Sequence, residues 1–499
     1  MNLEDIYILN PDYNFKPDLD RVCMYSVVER EYDSSNDWNS YIHPYQATIL
    51  LMFDGLRSVG SIVEAISTHF KISEETAIDL IKDYIENPEP IQTEWQGERI
   101  PFPKNVLINI DKIKGEIKER KEPDFTDLRW DAINVKNDRS HLAPHKILWM
   151  MTNRCVTDCA YCYADKHTMH TPLSTEAGLQ IIEDAYRLGV LNIDVIGGEV
   201  FLHKDWDILI GRMVERGMSP TFLSTKVPVS ESIVAKLKKT GYKNVVQISL
   251  DSLDADVVNH TIRVGGNYLQ QVIEGIKRLD EAGFKIQIDT ILTKDTATEH
   301  NLERLAELFK TINNFEYWEI RVPELSLYST KRFQEVMASR QQLEDIRKYV
   351  KDTLVESFGR RIIFSANVLD QKFHHISPKE PCFDGGLCGY LSRLMFILPD
   401  GKVSSCEQLY WHPEFIVGDL TKNTIEEIWR SPRVNEIIHR TEKDFREESK
   451  CKSCSFFESC SASNRRCAVK VLKAYGYDNW DYPDPRCTLA PELKFPLSY

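Results

Sequence analysis

Nowhere in this chain do eighteen apolar residues run without a charge, so the sequence offers no candidate for a membrane-spanning helix. The first residues, Met1 to Asp12 with Glu4 and Asp5 among them, lack the basic and then apolar regions of a signal peptide. A cytoplasmic protein without a membrane partner is the expectation. A basic face is missing as well. The 62 Lys and Arg stand against 76 Asp and Glu, giving a net charge of −14 and a pI near 5.5, whereas a protein that grips a phosphate backbone needs the opposite balance. No nucleic-acid partner is expected.

What the chain has in quantity is cysteine. Twelve cysteines in 499 residues, in a chain read as belonging to a reducing compartment, point to metal ligands rather than disulfides. The length suggests two to four domains. The apolar run Ile147 to Met151 reads as a short buried strand. It leads into a loop with Cys155, Cys159 and Cys162, and Tyr161 stands just before the last of them. A structural zinc site normally brings two C-x₂-C knuckles or supplies histidines, so these three look like an incomplete cage. Three thiolates on a [4Fe–4S] cluster leave one iron open to a small molecule. A zinc loop and three unrelated core cysteines are the alternatives.

The C-x₃-C-x-Y-C pattern after a buried strand resembles the signature of the radical S-adenosylmethionine (radical SAM) enzymes. The resemblance implies that the open iron chelates the amino and carboxylate groups of SAM. It also implies that one electron releases a 5′-deoxyadenosyl radical able to take hydrogen from an unreactive carbon. The following segments agree with it. Strands are expected near 146–152, 192–197, 219–224, 243–250, 284–292 and 317–322, with helices near 174–188, 204–217, 230–239, 267–282 and 299–312. Such alternation implies a parallel sheet with covering helices, here a partial (β/α)6 TIM barrel, and places the cysteines in the loop after its first strand.

The second such loop reads Gly197-Gly198-Glu199-Val200. Paired glycines let backbone approach closely, and Glu199 can accept from an ammonium group. Relatives usually show G-G-E-P there against the SAM amino group; Val200 removes a stiffening proline but keeps the contacting atoms. Ser249-Leu250-Asp251 resembles the pattern whose serine contacts the SAM ribose, although Asp251 could instead cap the next helix. Ser224 and Thr225 are placed to line the adenosyl pocket. His260 and Arg263, in "NHTIRVGGNY", resemble a stretch whose arginine pairs with the SAM carboxylate; a surface salt bridge is the other reading of Arg263.

Residues 1–98 read as a separate domain. Strands are expected at Ile6–Leu9, near Phe15 and at Arg21–Val28, with Asn10-Pro11-Asp12 as a turn. Three helices follow: one from His43-Pro44 to Gly55, one capped by Ser58 and one capped by Ser73. The order describes a winged-helix-like domain, and its acidic helices argue against DNA. The stretch "HPYQATILLMFDGLRSVGSIVEAI" resembles the PqqD-like leader-peptide recognition domain of pyrroloquinoline quinone biosynthesis, where a precursor's leader adds a strand to an exposed sheet edge. A generic helical cap is the alternative. Residues 99–143 read as a bridging region with one polar helix over Lys112 to Glu122, and the barrel as 144–360. A long polar helix (Arg340 to Ser357) and a strand (Ile362 to Ser365) follow.

In residues 361–499 the cysteines resume at 382, 388, 406, 451, 454, 460, 467 and 487. Eight is the number that two fully ligated [4Fe–4S] clusters require. The C-x₅-C, G-x₄-C and C-x₂-C-x₅-C spacings, with "TIEEIW" at Thr424 to Trp429, resemble the SPASM domain and its two auxiliary clusters. Asn464 stands where relatives place the next cysteine, so the resemblance carries that ligand to Cys467. It assigns Cys382, Cys388, Cys406 and Cys467 to the nearer auxiliary cluster, and Cys451, Cys454, Cys460 and Cys487 to the outer one. A pair of zinc ribbons is the alternative, and Cys23 is read as a strand residue. Glu407, directly after Cys406, stands where the resemblance to sulfatase-maturing relatives implies the base that takes a substrate proton; an inert surface acid is the alternative.

The fold class expected is therefore α/β, with a partial barrel between a winged-helix-like domain and a two-cluster SPASM domain. The function implied is that of a radical SAM maturase that cross-links a ribosomally made peptide with three [4Fe–4S] clusters and SAM. Its partners would be a precursor peptide and an electron donor such as flavodoxin or ferredoxin. Peptide epimerisation, side-chain oxidation and a metal-stabilised peptide scaffold are the alternatives.

Overall fold

The computed structural model describes residues 1–26, 38–113, 123, 125–126, 128–136, 139–165, 169–329, 331–365, 388–462 and 466–495, and divides into two compact units, Met1–Leu142 and Ala143–Tyr499. The first unit runs β1 (Ile6–Leu9), β2 (Tyr13–Pro17), β3 (Val22–Ser26), β4 (Asn39–Ile42), α1 (Pro44–Leu51), β5 (Asp54–Ser58), α2 (Val59–Phe70), α3 (Glu74–Ile81), β6 (Ile91–Trp95), β7 (Glu98–Phe102) and β8 (Leu107–Asn109). Antiparallel sheets of order β5-β1-β8 and β2-β3-β4, with the hairpin β6–β7, enclose the helices' apolar faces. Leu9, Val22, Ile42, Leu50, Ile62 and Phe102 are fully buried there.

The caps decide where the helices begin. Ser58 and Ser73 accept from the backbone three residues on, and His43 with Gln46 forms a reciprocal box around Pro44. α1 stops before the expected Gly55. Gly55 has φ +80°, and the Asp54 carboxylate accepts from the Leu56 and Arg57 N–H groups, so the chain turns and pairs with β1 instead of extending the helix. Strands β4 to β8 are additions to the sequence reading. Residues of the 99–143 stretch fall in this unit, where Leu128 and Val135 join its core. The polar helix expected over Lys112 to Glu122 lies mostly outside the described residues.

The second unit carries β9 (Lys146–Thr152), α4 (Thr175–Arg187), β10 (Asn192–Gly197), α5 (Trp206–Glu215), β11 (Phe222–Thr225), α6 (Glu231–Thr240), β12 (Val245–Ser249), α7 (Ala255–Ile262), α8 (Tyr268–Glu281), β13 (Ile286–Ile291), α9 (Glu299–Phe309), β14 (Phe315–Arg321), β15 (Ile362–Ser365), β16 (Leu394–Ile397), β17 (Lys402–Ser404) and β18 (Ile416–Asp419). The order β11-β12-β13-β14-β15 is parallel throughout. The second sheet, β10-β9-β16-β17-β18, is parallel across β10, β9 and β16 and antiparallel beyond. A strand covered on both faces reads as a continuous apolar run, and β9 is one. Its Trp149 packs on α4 at Gly178, where an added Cβ would stand 2.8 Å from the indole. The long helix past β14 runs over Arg340–Phe358 through a π-helical turn at Val350–Leu354.

Candidate functional site

The cysteine loop leaves β9 and is fastened at its middle to the end of α7. The Asp158 and Ala160 N–H groups donate to the carbonyls of Ile262 and Thr261 at 2.8 and 2.9 Å. Thr157 Oγ1 lies 3.3 Å from Cys155 Sγ and 3.2 Å from Cys159 Sγ, holding the two thiols on either side of it. Cys159 is buried, Cys162 half-buried and Cys155 exposed. Burial pushes the Cys159 thiol up to about 11, with Lys226 opposing. Among the described residues no three cysteine, histidine or acidic side chains converge on the position of a single ion.

Gly197 and Gly198 bring the end of β10 against this loop. A Cβ on Gly198 would stand 2.0 Å from the Arg154 carbonyl oxygen, and one on Gly197 2.7 Å from that of Thr152. The contact is sealed by hydrogen bonds from Gly198 N–H to Thr152 and from Glu199 N–H to Arg154. Glu199, 3 % exposed, therefore reaches inward. Its carboxylate accepts from Thr225 Oγ1 at 2.7 Å and from the Lys226 N–H at 3.0 Å, and one oxygen lies 3.9 Å from Cys155 Sγ. Burial raises its pKa against those hydrogen bonds.

Tyr161 is buried and its hydroxyl donates to the Asp251 carboxylate. Asp251 also accepts the Ile291 N–H at 2.9 Å. It is thus a strut between the cysteine loop and β13, and the cap of α7 is Asp254. Ser249, the last residue of β12, lies beside Asp289 on β13; Ser224, half-buried on β11, lies beside Gln247 on β12. Arg263, with φ +52°, donates to Asp158 at 3.0 Å in an exposed pair that Arg332 joins at the same distance. In this structure it braces the cysteine loop from outside.

Sequence reasoning missed four side chains. Lys226 sits with its ammonium 5.6 Å from the Tyr161 ring centre. Burial draws its pKa down, but Asp251, Cys159, Glu199 and Asp289 together raise it. Asp289, 3 % exposed, is pushed up to about 7 by burial, with Arg321 opposing and Glu319 adding. Arg321 bridges Asp289 at 3.1 Å and Glu319 at 2.7 Å. Tyr390 is the fourth: it hydrogen-bonds Glu407, whose pKa burial raises while Tyr390 and Arg321 lower it. Strand positions Asp289, Glu319 and Arg321 break the apolar expectation for buried parallel strands, and that was the available signal.

Of the C-terminal cysteines, Cys382 lies outside the described residues. Burial raises the Cys388 thiol with Cys467 adding, and raises Cys406 with Glu407, Cys467 and Cys388 adding. Cys451 is pushed up to about 11 by burial, with Cys487 and Cys460 adding. Two groups of neighbours result, Cys388/Cys406/Cys467 and Cys451/Cys460/Cys487. Cys454 follows Cys451 in a turn. A cavity of about 530 Å³ is lined by Cys388, Cys406, Cys467, Cys451 and Cys460 together. Sulfur donors without histidine suit iron–sulfur clusters, and ligation would have to displace the protons that burial holds on Cys388, Cys406 and Cys451. Cys23 is buried on β3.

The family model for the radical SAM superfamily matches residues 149–309, and that for the SPASM iron–sulfur cluster-binding domain matches 388–455. The chain thus carries a radical SAM segment followed by a SPASM segment. It is similar to a PqqA peptide cyclase from Granulibacter bethesdensis, 24 % identical over 70 % of this chain and 88 % of that protein. It is also similar to the mycofactocin maturase MftC of Mycobacterium tuberculosis, 25 % identical over 69 % and 83 %. In fold it matches Streptococcus suis SuiB bound to the precursor peptide SuiA, with TM-score 0.60, 15 % identity and coverage of 97 % of this chain and 100 % of that one.

Proposed function

We propose that this chain is a maturase of a ribosomally made peptide that forms a cross-link within its precursor. The observation that carries the reading is the meeting, at one end of β9 and β10, of a three-thiol loop with a buried Glu199 beside a Gly-Gly approach. The similarity to the PqqA peptide cyclase and MftC supports a peptide as the substrate. Bound SAM and a [4Fe–4S] cluster on Cys155, Cys159 and Cys162 would supply a 5′-deoxyadenosyl radical. Glu199 would accept from the SAM ammonium, Gly197 and Gly198 would allow the backbone to close on it, and Ser224 and Ser249 would line the adenosyl side. Tyr161 and Asp251 fix the loop's orientation. Arg263 is the candidate for the SAM carboxylate if it exchanges Asp158 for that ligand.

The same reading gives the second unit a partial (β/α)6 barrel and, with Cys382 and Cys454 completing the two cysteine groups, two auxiliary clusters, three in all. Glu407, half-buried beside Cys406 and bonded to Tyr390, is the base that takes the substrate proton. The first unit is the leader-recognition domain, with β2 and β4 as the outer strands of one three-stranded sheet, and a flavodoxin or ferredoxin supplies the electron. No helix among the described residues is long and apolar enough to cross a membrane, in keeping with a cytoplasmic enzyme. Because all eight C-terminal positions are assigned to clusters, a carbon–carbon or similar oxidative link is favoured over a thioether. Co-expression with peptides from neighbouring short open reading frames tests this by mass spectrometry. A loss of hydrogens confined to one core segment supports a cross-link; an unchanged mass with an inverted residue points to epimerisation.

A further inference from the structure

The cavity between the C-terminal cysteines has a cationic wall, supplied by Lys470, Lys473, Arg440, Arg466 and Arg486, of which Arg440 is paired with Glu414 at 2.7 Å. These charges are unevenly shared. Cys467 is the N-cap residue of the helix Ala468–Tyr475, and Lys470 and Lys473 follow it three and six residues on, which stacks all three along one helix face. Arg486 is tied to the same spot, because Asp484 accepts both the Cys467 N–H at 2.9 Å and Arg486 Nε at 2.8 Å. Lys473 is 9 % exposed, and its carboxylate partner Glu324 stands 3.7 Å away and 46 % exposed. The solvent-facing acid is screened more than the enclosed ammonium, whose charge remains felt inside. The other cysteine group faces Arg466, whose Nε donates to the Tyr482 carbonyl at 3.0 Å. Glu407, next to Cys406, acts against these cations, as Glu324 does on Lys473 and Asp484 on Arg486.

A reduced cluster carries one more negative charge than an oxidised one, so nearby positive charge raises its reduction potential. We propose that Lys470 and Lys473 hold the cluster on Cys388, Cys406 and Cys467 at a higher reduction potential than the cluster on Cys451, Cys460 and Cys487. The inner cluster is then the first to take the electron that the substrate radical gives up as its proton leaves to a base. This rests on the two-auxiliary-cluster reading above. The lysines act through the cluster and need not touch substrate.

The test uses the full chain with Cys155, Cys159 and Cys162 changed to Ala, reconstituted anaerobically and titrated with dithionite under EPR. The parent should hold about eight irons in two clusters and show two transitions. K473Q should lower the higher transition by about tenfold in the reduction equilibrium, about 59 mV for one electron, and leave the lower one in place. K470Q should act the same way, and K473R should restore the parent value. With eight irons present, a single transition, an unmoved higher transition, or equal movement of both overturns the inference. A parent holding far fewer irons overturns the two-cluster reading instead.

Discussion

Replacing Glu199 by Gln isolates what its charge does for SAM. The two side chains have nearly the same shape, and one oxygen remains to accept from Thr225 Oγ1, now at 2.7 Å. Two things change. The amide turns an N–H₂ toward either Thr225 or the Lys226 N–H, which now donates to both carboxylate oxygens at 3.0 Å. The charge offered to the SAM ammonium is also lost. A hydrogen bond to a charged group contributes about 1.5–3 kcal/mol, which is roughly 10- to 150-fold in affinity. SAM binding to anaerobically reconstituted protein, followed by calorimetry, should weaken by that factor while iron content stays at the wild-type value. Because Glu199 is 3 % exposed, removing its desolvation penalty should leave the thermal midpoint equal or higher. An unchanged Kd with intact iron would refute the role given to Glu199.

Changing Cys155, Cys159 and Cys162 together to Ala should remove about four of about twelve irons and abolish 5′-deoxyadenosine formation on reduction. Residues 1–142, expressed alone, should bind the cognate leader with micromolar affinity, about −8 kcal/mol, by fluorescence anisotropy; equal modification of full-length precursor by a chain lacking them would reduce the unit to a cap. Gly178→Ala drives a Cβ to 2.8 Å from the Trp149 ring and 2.9 Å from Leu209, and overpacking of this kind costs about 1–3 kcal/mol in chemical denaturation. Asp289 is pushed up to about 7 by burial. Between about pH 4, its unfolded value, and pH 7 the folded state keeps a proton that the unfolded state has lost, so stability from this group is full below that window and falls as pH rises through it. Asp289→Asn should therefore flatten the decline, seen as a gain over wild type at pH 8 that disappears at pH 4 in urea titrations.

The cysteine loop was legible because a cluster needs its ligands at fixed local spacings, and spacing is what a sequence displays. Strands β9 to β15 were legible for a related reason: β9 is an apolar run and β13 is rich in β-branched residues, each of strand length, whereas β16 to β18 were not read. Asp251 was harder. Its partners, Tyr161 and Ile291, are brought together only by the parallel register, and a rule based on the following helix pointed to capping, a task Asp254 performs three residues later. Lys226, Arg321 and Tyr390 were invisible because their partners Glu199 and Asp251, Asp289, and Glu407 stand on other strands and loops, and none of the three belongs to a local pattern. β5 was missed because Asp54 to Ser58 has neither alternation nor β-branched residues; its pairing comes from β1 and from the positive φ of Gly55.

β16, which follows β14 by more than seventy residues, hydrogen-bonds β9 in parallel and carries β17 and β18 behind it. For anyone building chimeras this decides where the chain can be cut. A donor segment beginning at residue 388 does not arrive as a cartridge: it must supply the neighbour of the strand from which the cysteine loop hangs. Exchange of the C-terminal segment alone leaves β9 with an open edge, so grafts should travel with β9 or keep residues 394–419 from the recipient.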